Sequence, residues 1–195
     1  MASYQTIESE STAVFREKMS KFISFATPVS TVEDAKAVIA TTTNKYHDAR
    51  HVFWAYVIGA DRSHYLSSDN GEPSGTAGKP ILGQINSAGL TDIVICVVRY
   101  FGGIKLGTSG LIAAYRESAR LAIEAATIIT AHEMSRAEIT FPYLAMNDVM
   151  RLLKMSPSAK IVDQQFDNTC RLTFTATSDE MAVLLPRVKA LDGVT

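Results

Sequence analysis

Six consecutive apolar residues, Ile93-Val94-Ile95-Cys96-Val97-Val98, stand between Asp92 and Arg99 and are followed within twelve residues by four glycines. A β-rich run of that length with no polar alternation fits a central strand covered on both faces. A chain holding such a strand must supply helices to cover it. Thr108 to Ala126 supplies the clearest one, with Leu111, Ala114, Tyr115, Ala119, Ala122 and Ile123 recurring at helical spacing. Arg116, Glu117, Arg120 and Glu124 fall largely on its other side, and Glu117 and Arg120 are close enough for a weak ion pair.

Further elements follow from the same periodicities. Ser30 and Glu33 have capping-box spacing and open a helix to about Tyr46, with Val32, Ala35, Val38 and Ile39 on one face. His51 to Ile58 is aromatic and β-branched and reads as a strand closed by Gly59, with Trp54 as a core anchor. Ile128 to Phe141 reads as extended, and Leu144 to Met155 as a helix ended by Pro157. Lys160–Phe166 and Cys170–Thr177 read as strands joined at Asp167-Asn168, and Ser178 caps a last helix. Met134, Met146, Met150, Met155 and Met181 fill gaps in a small second core. The order β-α-β-β-α is that of a split ferredoxin-like unit, with Asp192 to Thr195 left for a fourth strand. The expected class is α+β, as two-layer α/β sandwiches, with domains over 1–130 and 131–195.

Composition narrows the function classes. With 19 Lys+Arg against 20 Asp+Glu in 195 residues, binding driven by bulk charge is excluded, so an anion site must come from local clustering. Cys96 and Cys170 both lie in apolar runs, which excludes a disulfide framework, and Cys96 should be an inert core thiol. No apolar stretch approaches the ~20 residues that span a membrane. Met1 to Glu10 is polar without a signal-peptide core, so a soluble cytoplasmic protein is expected.

Two glycine-rich segments carry the candidate chemistry. Asp69 to Pro80 (DNGEPSGTAGKP) nearly matches a P-loop, but Pro73 replaces the first glycine and Pro80 the metal-binding hydroxyl. Pro80 also has no amide to offer a phosphate. A tight turn into a helix near Thr76 or Gly78, with Ile81, Leu82 and Ile85 inward and Lys79 paired to Asp69 or Glu72, accounts for it structurally. A ligand-facing loop is the other reading.

The second segment, Arg99 to Gly110 (RYFGGIKLGTSG), joins the buried strand to the long helix. Backbone amides and a helix N-terminus converge there, Arg99 and Lys105 add charge, and Tyr100 and Phe101 add stacking faces. Structurally, one of the two aromatics belongs to the core and Arg99 is neutralised by Asp92 or Glu72. Neither a dinucleotide fingerprint nor a nucleophile elbow is present, since Leu111 replaces the glycine required after Ser109. His47, His51 and His64 lack partners at ligand spacing, so neither metal nor cofactor is expected.

Residues 69–82 together with Val97 to Leu111 resemble the signature of the IMPACT/YigZ family, and Lys18–Phe25 and His51–Tyr56 are similar to its early blocks. The His51–Tyr56 block lacks the cysteine often found there, and Asn70 replaces a frequent aspartate. Without room for the extra N-terminal domain of eukaryotic members, the chain resembles the bacterial branch. The resemblance implies a domain like a small-subunit ribosomal protein and domain IV of elongation factor G, then a ferredoxin-like domain. In function it implies translation regulation, with RNA or the ribosome, or a translation-related protein, as partner.

The candidate nucleic-acid or anion-binding residues are therefore Lys79, Arg99, Tyr100, Phe101, Gly102, Gly103, Lys105, Thr108, Arg116 and Arg120, with Asp69, Gly71, Glu72, Ser74, Gly75 and Gly78 shaping the first loop. No catalytic residue is assigned, and the leading expectation is a non-enzymatic protein. Two alternatives stay open. One is a protein-interaction module docking through Ile104 and Leu106. The other is a phosphate-binding enzyme using Asp69 or Glu72 as base and Lys79 or Lys105 to stabilise charge.

Overall fold

The computed structural model describes residues 3–195, which divide into two compact units. One comprises Tyr4–Ala131; the other comprises residues 132–195 together with Ser3.

In the first unit, β1 (Ser3–Ile7) and β7 (Ile128–His132) form a two-stranded sheet. The main sheet has five antiparallel strands in the order β2-β3-β6-β4-β5, over β2 (Ser11–Glu17), β3 (Ser20–Pro28), β4 (Val52–Ile58), β5 (His64–Ser68) and β6 (Ile93–Tyr100). The unbroken apolar run is the middle strand of this sheet. Ile93, Ile95 and Val97 point to the face covered by α2 (Gly78–Ser87) and α3 (Gly107–Glu124), where they meet Ile81, Ile85, Leu111 and Tyr115. Val94, Cys96 and Val98 point to the opposite face, under Val32, Ala35, Val38 and Ile39 of α1 (Val32–Lys45). All six are fully buried, each contributing about 1.5–3 kcal/mol if its whole side chain leaves water.

Mixed α+β architecture is thus what the chain adopts, but the two-layer expectation needs correcting for this unit. Helices lie on both faces of the sheet, because a strand apolar at every position cannot leave either face wet. Strands β1, β2, β3 and β5 add to those read from the sequence. Helix α1 is capped one residue later than expected. The Thr31 hydroxyl accepts from the Asp34 amide at 3.1 Å, and the Asp34 carboxylate accepts from the Thr31 amide at 3.1 Å.

The second unit runs β8 (Met134–Pro142), a 3-10 turn (Tyr143–Ala145), α4 (Met146–Lys154), β9 (Lys160–Phe166), β10 (Thr169–Thr177) and α5 (Ser178–Lys189). Its antiparallel sheet has the order β8-β10-β9, the arrangement of a split βαβ motif. Ile139, Phe141, Leu172 and Phe174 face Val149, Leu153, Leu184 and Val188 of the two helices. Thr195 exchanges two backbone hydrogen bonds with Thr140, at 2.9 and 3.1 Å, so a single residue pair occupies the fourth-strand position.

Three expectations for this region change. The extended run breaks at Glu133 into β7 and β8. Ser178 does not cap α5; its hydroxyl donates to the Glu133 carbonyl, and Thr177 stands at the cap with no side-chain bond to the helix amides. Met181 is buried, whereas Met134 and Met155 are exposed, so those two fill no gap.

Candidate functional site

Asp69 organises the first glycine-rich loop. One carboxylate oxygen accepts from the Gly75 amide at 2.7 Å, and the other from Ala77 at 3.1 Å and Gly78 at 2.9 Å. It thereby does the work of a cap for α2, whose own cap residue Ala77 has no side-chain acceptor. Burial alone would push the Asp69 carboxyl up, but these three amides, helped by the nearby Lys79, hold it below its ordinary value. Asn70 ties the loop to β4 by donating to the Val52 carbonyl at 2.9 Å. Two glycines are required by close approach. A Cβ on Gly78 would lie 2.7 Å from the Ser68 amide nitrogen, and one on Gly71, at φ +98°, 2.9 Å from the His51 imidazole. Ser74 is exposed.

This geometry turns Glu72 inward. Its carboxylate forms an ion pair with Arg99 at the end of β6 and accepts a hydrogen bond from the Tyr115 hydroxyl of α3 at 2.9 Å. The Glu72 and Arg99 side chains are only 15% and 12% exposed. Burial, reinforced by the Glu72 charge, raises the Tyr115 phenol far above its ordinary value, so the ring stays a neutral donor. The Arg99 guanidinium lies 5.6 Å from the centroids of both Phe22 and Phe101. The ion pair expected at Lys79 is therefore made at Arg99 instead. Asp92 takes a different partner, the Gly59 amide at 2.8 Å. No ion pair reaches Lys79 among the described residues.

Above this floor opens a cavity of about 780 Å³, lined by Arg50, His51, Phe53, Glu72, Arg99, Tyr100, Phe101, Lys105 and the first residues of α3, Gly107 and Thr108. Tyr100 is half-buried, its hydroxyl donating to Asp48 at 2.9 Å, while Phe101 is 59% exposed. Lys105, Arg50 and Thr108 are exposed. Helix α3 begins without a side-chain cap at Leu106, and among the described residues no side chain is bonded to the amides of its first turn.

The structure thus gathers Arg99, Tyr100, Phe101, Lys105 and Thr108 around one cavity, while Gly102 and Gly103, between Phe101 and Lys105, do not line it. Lys79 and Arg116 border a separate depression. Arg120 lies outward on α3, held by Glu117 at 2.8 Å and Glu124 at 2.5 Å. Leu106 is buried and unavailable to a partner, while Ile104 is exposed.

The sequence pattern does not mark Arg50, Tyr115 or Phe22 as site residues, and it offers His51 only as a metal-ligand candidate. The signal available for Arg50 and His51 was their place at the start of a strand beside the central one. No three or more His, Cys, Asp or Glu among the described residues are grouped to hold a metal. No helix of the structure is long and apolar enough to cross a membrane.

Comparison with known proteins places this chain within a family. The Impact N-terminal domain profile matches residues 18–123, a range that includes both glycine-rich loops, and the chain belongs to the IMPACT family. It is 48% identical over 106 residues to the IMPACT family member YigZ of Escherichia coli, covering 53% of this chain and 52% of that protein. An IMPACT family member of Haemophilus influenzae is 41% identical over 128 residues, covering 64% and 61%. YvyE of Bacillus subtilis is 40% identical over 116 residues, covering 60% and 54%. These matches span about half to three-fifths of each relative's length. A solved structure described as that of a hypothetical protein superposes with a TM-score of 0.77 at 31% identity, covering 97% of this chain and 92% of that one.

Proposed function

We propose that this chain is a non-enzymatic, cytoplasmic protein of translation regulation that contacts RNA, on the ribosome or free of it, through the cavity between its glycine-rich loops. The observation that carries this reading is the rim: exposed Phe101, Lys105 and Arg50 and the uncapped start of α3 border one opening. An exposed ring beside cations and free amides suits a strand whose phosphate and base are both accessible. Membership of the IMPACT family supports the link to translation.

Several features support a binding rather than a catalytic role. Glu72 is held by Arg99 and Tyr115, and Asp69 by three amides, so neither carboxylate is poised as a base. The Cys96 thiol is buried, which pushes its pKa up to about 12. The cavity volume favours a second reading, a small phosphorylated ligand, because it falls within the usual range for ligand pockets.

Gradient co-sedimentation with ribosomes at low and moderate salt tests the proposal. Wild type is expected to travel with the particles and to be released by salt. With two to three phosphates contacted, the binding constant should fall with a log–log slope of about −1.4 to −2. An Arg50→Glu, Lys105→Glu variant shown to be folded should stay at the top. Failure of the wild type to sediment at any salt would remove the reading. Stabilisation by nucleotides in a thermal-shift screen would then favour the small-ligand alternative.

A further inference from the structure

The cavity is polarised in a way that RNA contact alone does not require. Beside the cations and the exposed ring of its rim, two carboxylates line it: Asp48, which accepts from the Tyr100 hydroxyl, and Glu72, which is paired with Arg99 on the floor. Oε1 of Glu72 takes both described bonds, from Arg99 and from Tyr115. Oε2 takes part in none of the described hydrogen bonds. An ionised carboxylate presents acceptors and no donor. Through Arg99, whose guanidinium meets Glu72 on one side and the Phe101 ring on another, floor and rim lie about one planar group apart.

The four RNA bases differ in what they offer to such an acceptor. Adenine and cytosine each set one amino donor beside a ring-nitrogen lone pair, and uracil sets its single N–H between two carbonyl oxygens. Each therefore brings a repelling lone pair towards a carboxylate. Guanine alone presents two adjacent donors, N1–H and the 2-amino group, on its Watson–Crick edge. Unpaired bases in single strands expose that edge for recognition. We infer that the cavity selects an unpaired guanine in an RNA strand, its N1–H and 2-amino edge donating to Glu72, its face against Phe101 and its phosphate at Lys105 and Arg50.

This inference rests on the RNA-contact reading, and the test separates the two. Fluorescence anisotropy would compare four uridine nonamers whose central base is G, A, C or U, at about 50 mM and about 200 mM salt. The G strand is expected to bind about tenfold more tightly than the other three at both salts. GMP alone should compete at least tenfold less well than the G strand, since it lacks the neighbouring phosphates. Glu72→Gln, whose amide can turn a donor towards the base, should cut the G-over-U ratio to within about threefold. Its fold would be checked by circular dichroism, and the wild-type comparison does not depend on it.

Four strands binding alike and releasing with salt would overturn the guanine inference while leaving RNA contact standing. GMP competing as well as the G strand would overturn the strand as ligand. Binding of none of the four would overturn both readings.

Discussion

Asp69 lies in a segment that resembles a phosphate loop, but its carboxylate occupies the space where a phosphate would sit, accepting the amides of Gly75, Ala77 and Gly78. The loop satisfies itself. Because the folded state holds Asp69 below its ordinary value, its stabilising effect is full above the unfolded pKa of about 3.9 and is lost as pH falls through the lower, folded pKa. Asp69→Asn retains an acceptor but not the charge. Chemical unfolding should show wild type more stable by about 1–2 kcal/mol at pH 7. That advantage should shrink steadily below about pH 4; a difference unchanged at pH 3 would mean the charge is irrelevant. The identity of Asp69 as a loop residue was legible from the sequence. Its role was not, because no spacing rule says whether a carboxylate among glycines turns outward to a ligand or back onto its own amides.

The loop after β6 and the turn between β2 and β3 touch so closely that one position fixes both. A Cβ on Gly102 would lie 2.0 Å from the carbonyl carbon of Met19, a contact only backbone movement could relieve, whereas Gly103 has open space but φ +88°. Gly102→Ala should therefore cost about 2–4 kcal/mol in a denaturant titration, and Gly103→Ala about 1–2 kcal/mol. Equal losses would show that conformation, not contact, governs the loop.

The same turn explains what the sequence concealed. Strands β2 and β3 are joined at Lys18 and Met19, both at positive φ (44° and 66°) and neither a glycine or asparagine, so no turn residue marks the hairpin. β5 is only half-buried at best and shows no apolar alternation. By contrast β4, β6, β10 and α3 were legible from the apolar runs or periods that burial demands, whereas β9, exposed throughout, was legible from its residue types and the Asp167-Asn168 turn that follows it. The cap of α1 slipped by one residue because Ser30–Glu33 and Thr31–Asp34 offer the same chemistry at the same spacing.

Each unit carries its own core, one built around Ile95, Tyr115 and Phe53, the other around Leu172, Phe174 and Ile139. The only tryptophan, Trp54, lies in the first unit, half-buried on the sheet face under α1 and stacked on Tyr56 with ring centroids 5.8 Å apart. Phe174→Ala removes a fully buried ring from the second and should cost about 3–5 kcal/mol there. Unfolding followed by tryptophan emission and by far-ultraviolet circular dichroism should then give unequal midpoints, the dichroism shifting further; coincident curves would show a single cooperative unit.

The cavity floor has a different consequence. Arg99 rests against Phe22 of β3 and, through Glu72, reaches Tyr115 of α3, so groups that line the cavity are also the rivets between layers. A protein built this way cannot alter its floor without loosening its frame. Arg50, Lys105 and Phe101 stand free of that duty, and any drift in what the site holds would have to begin with them.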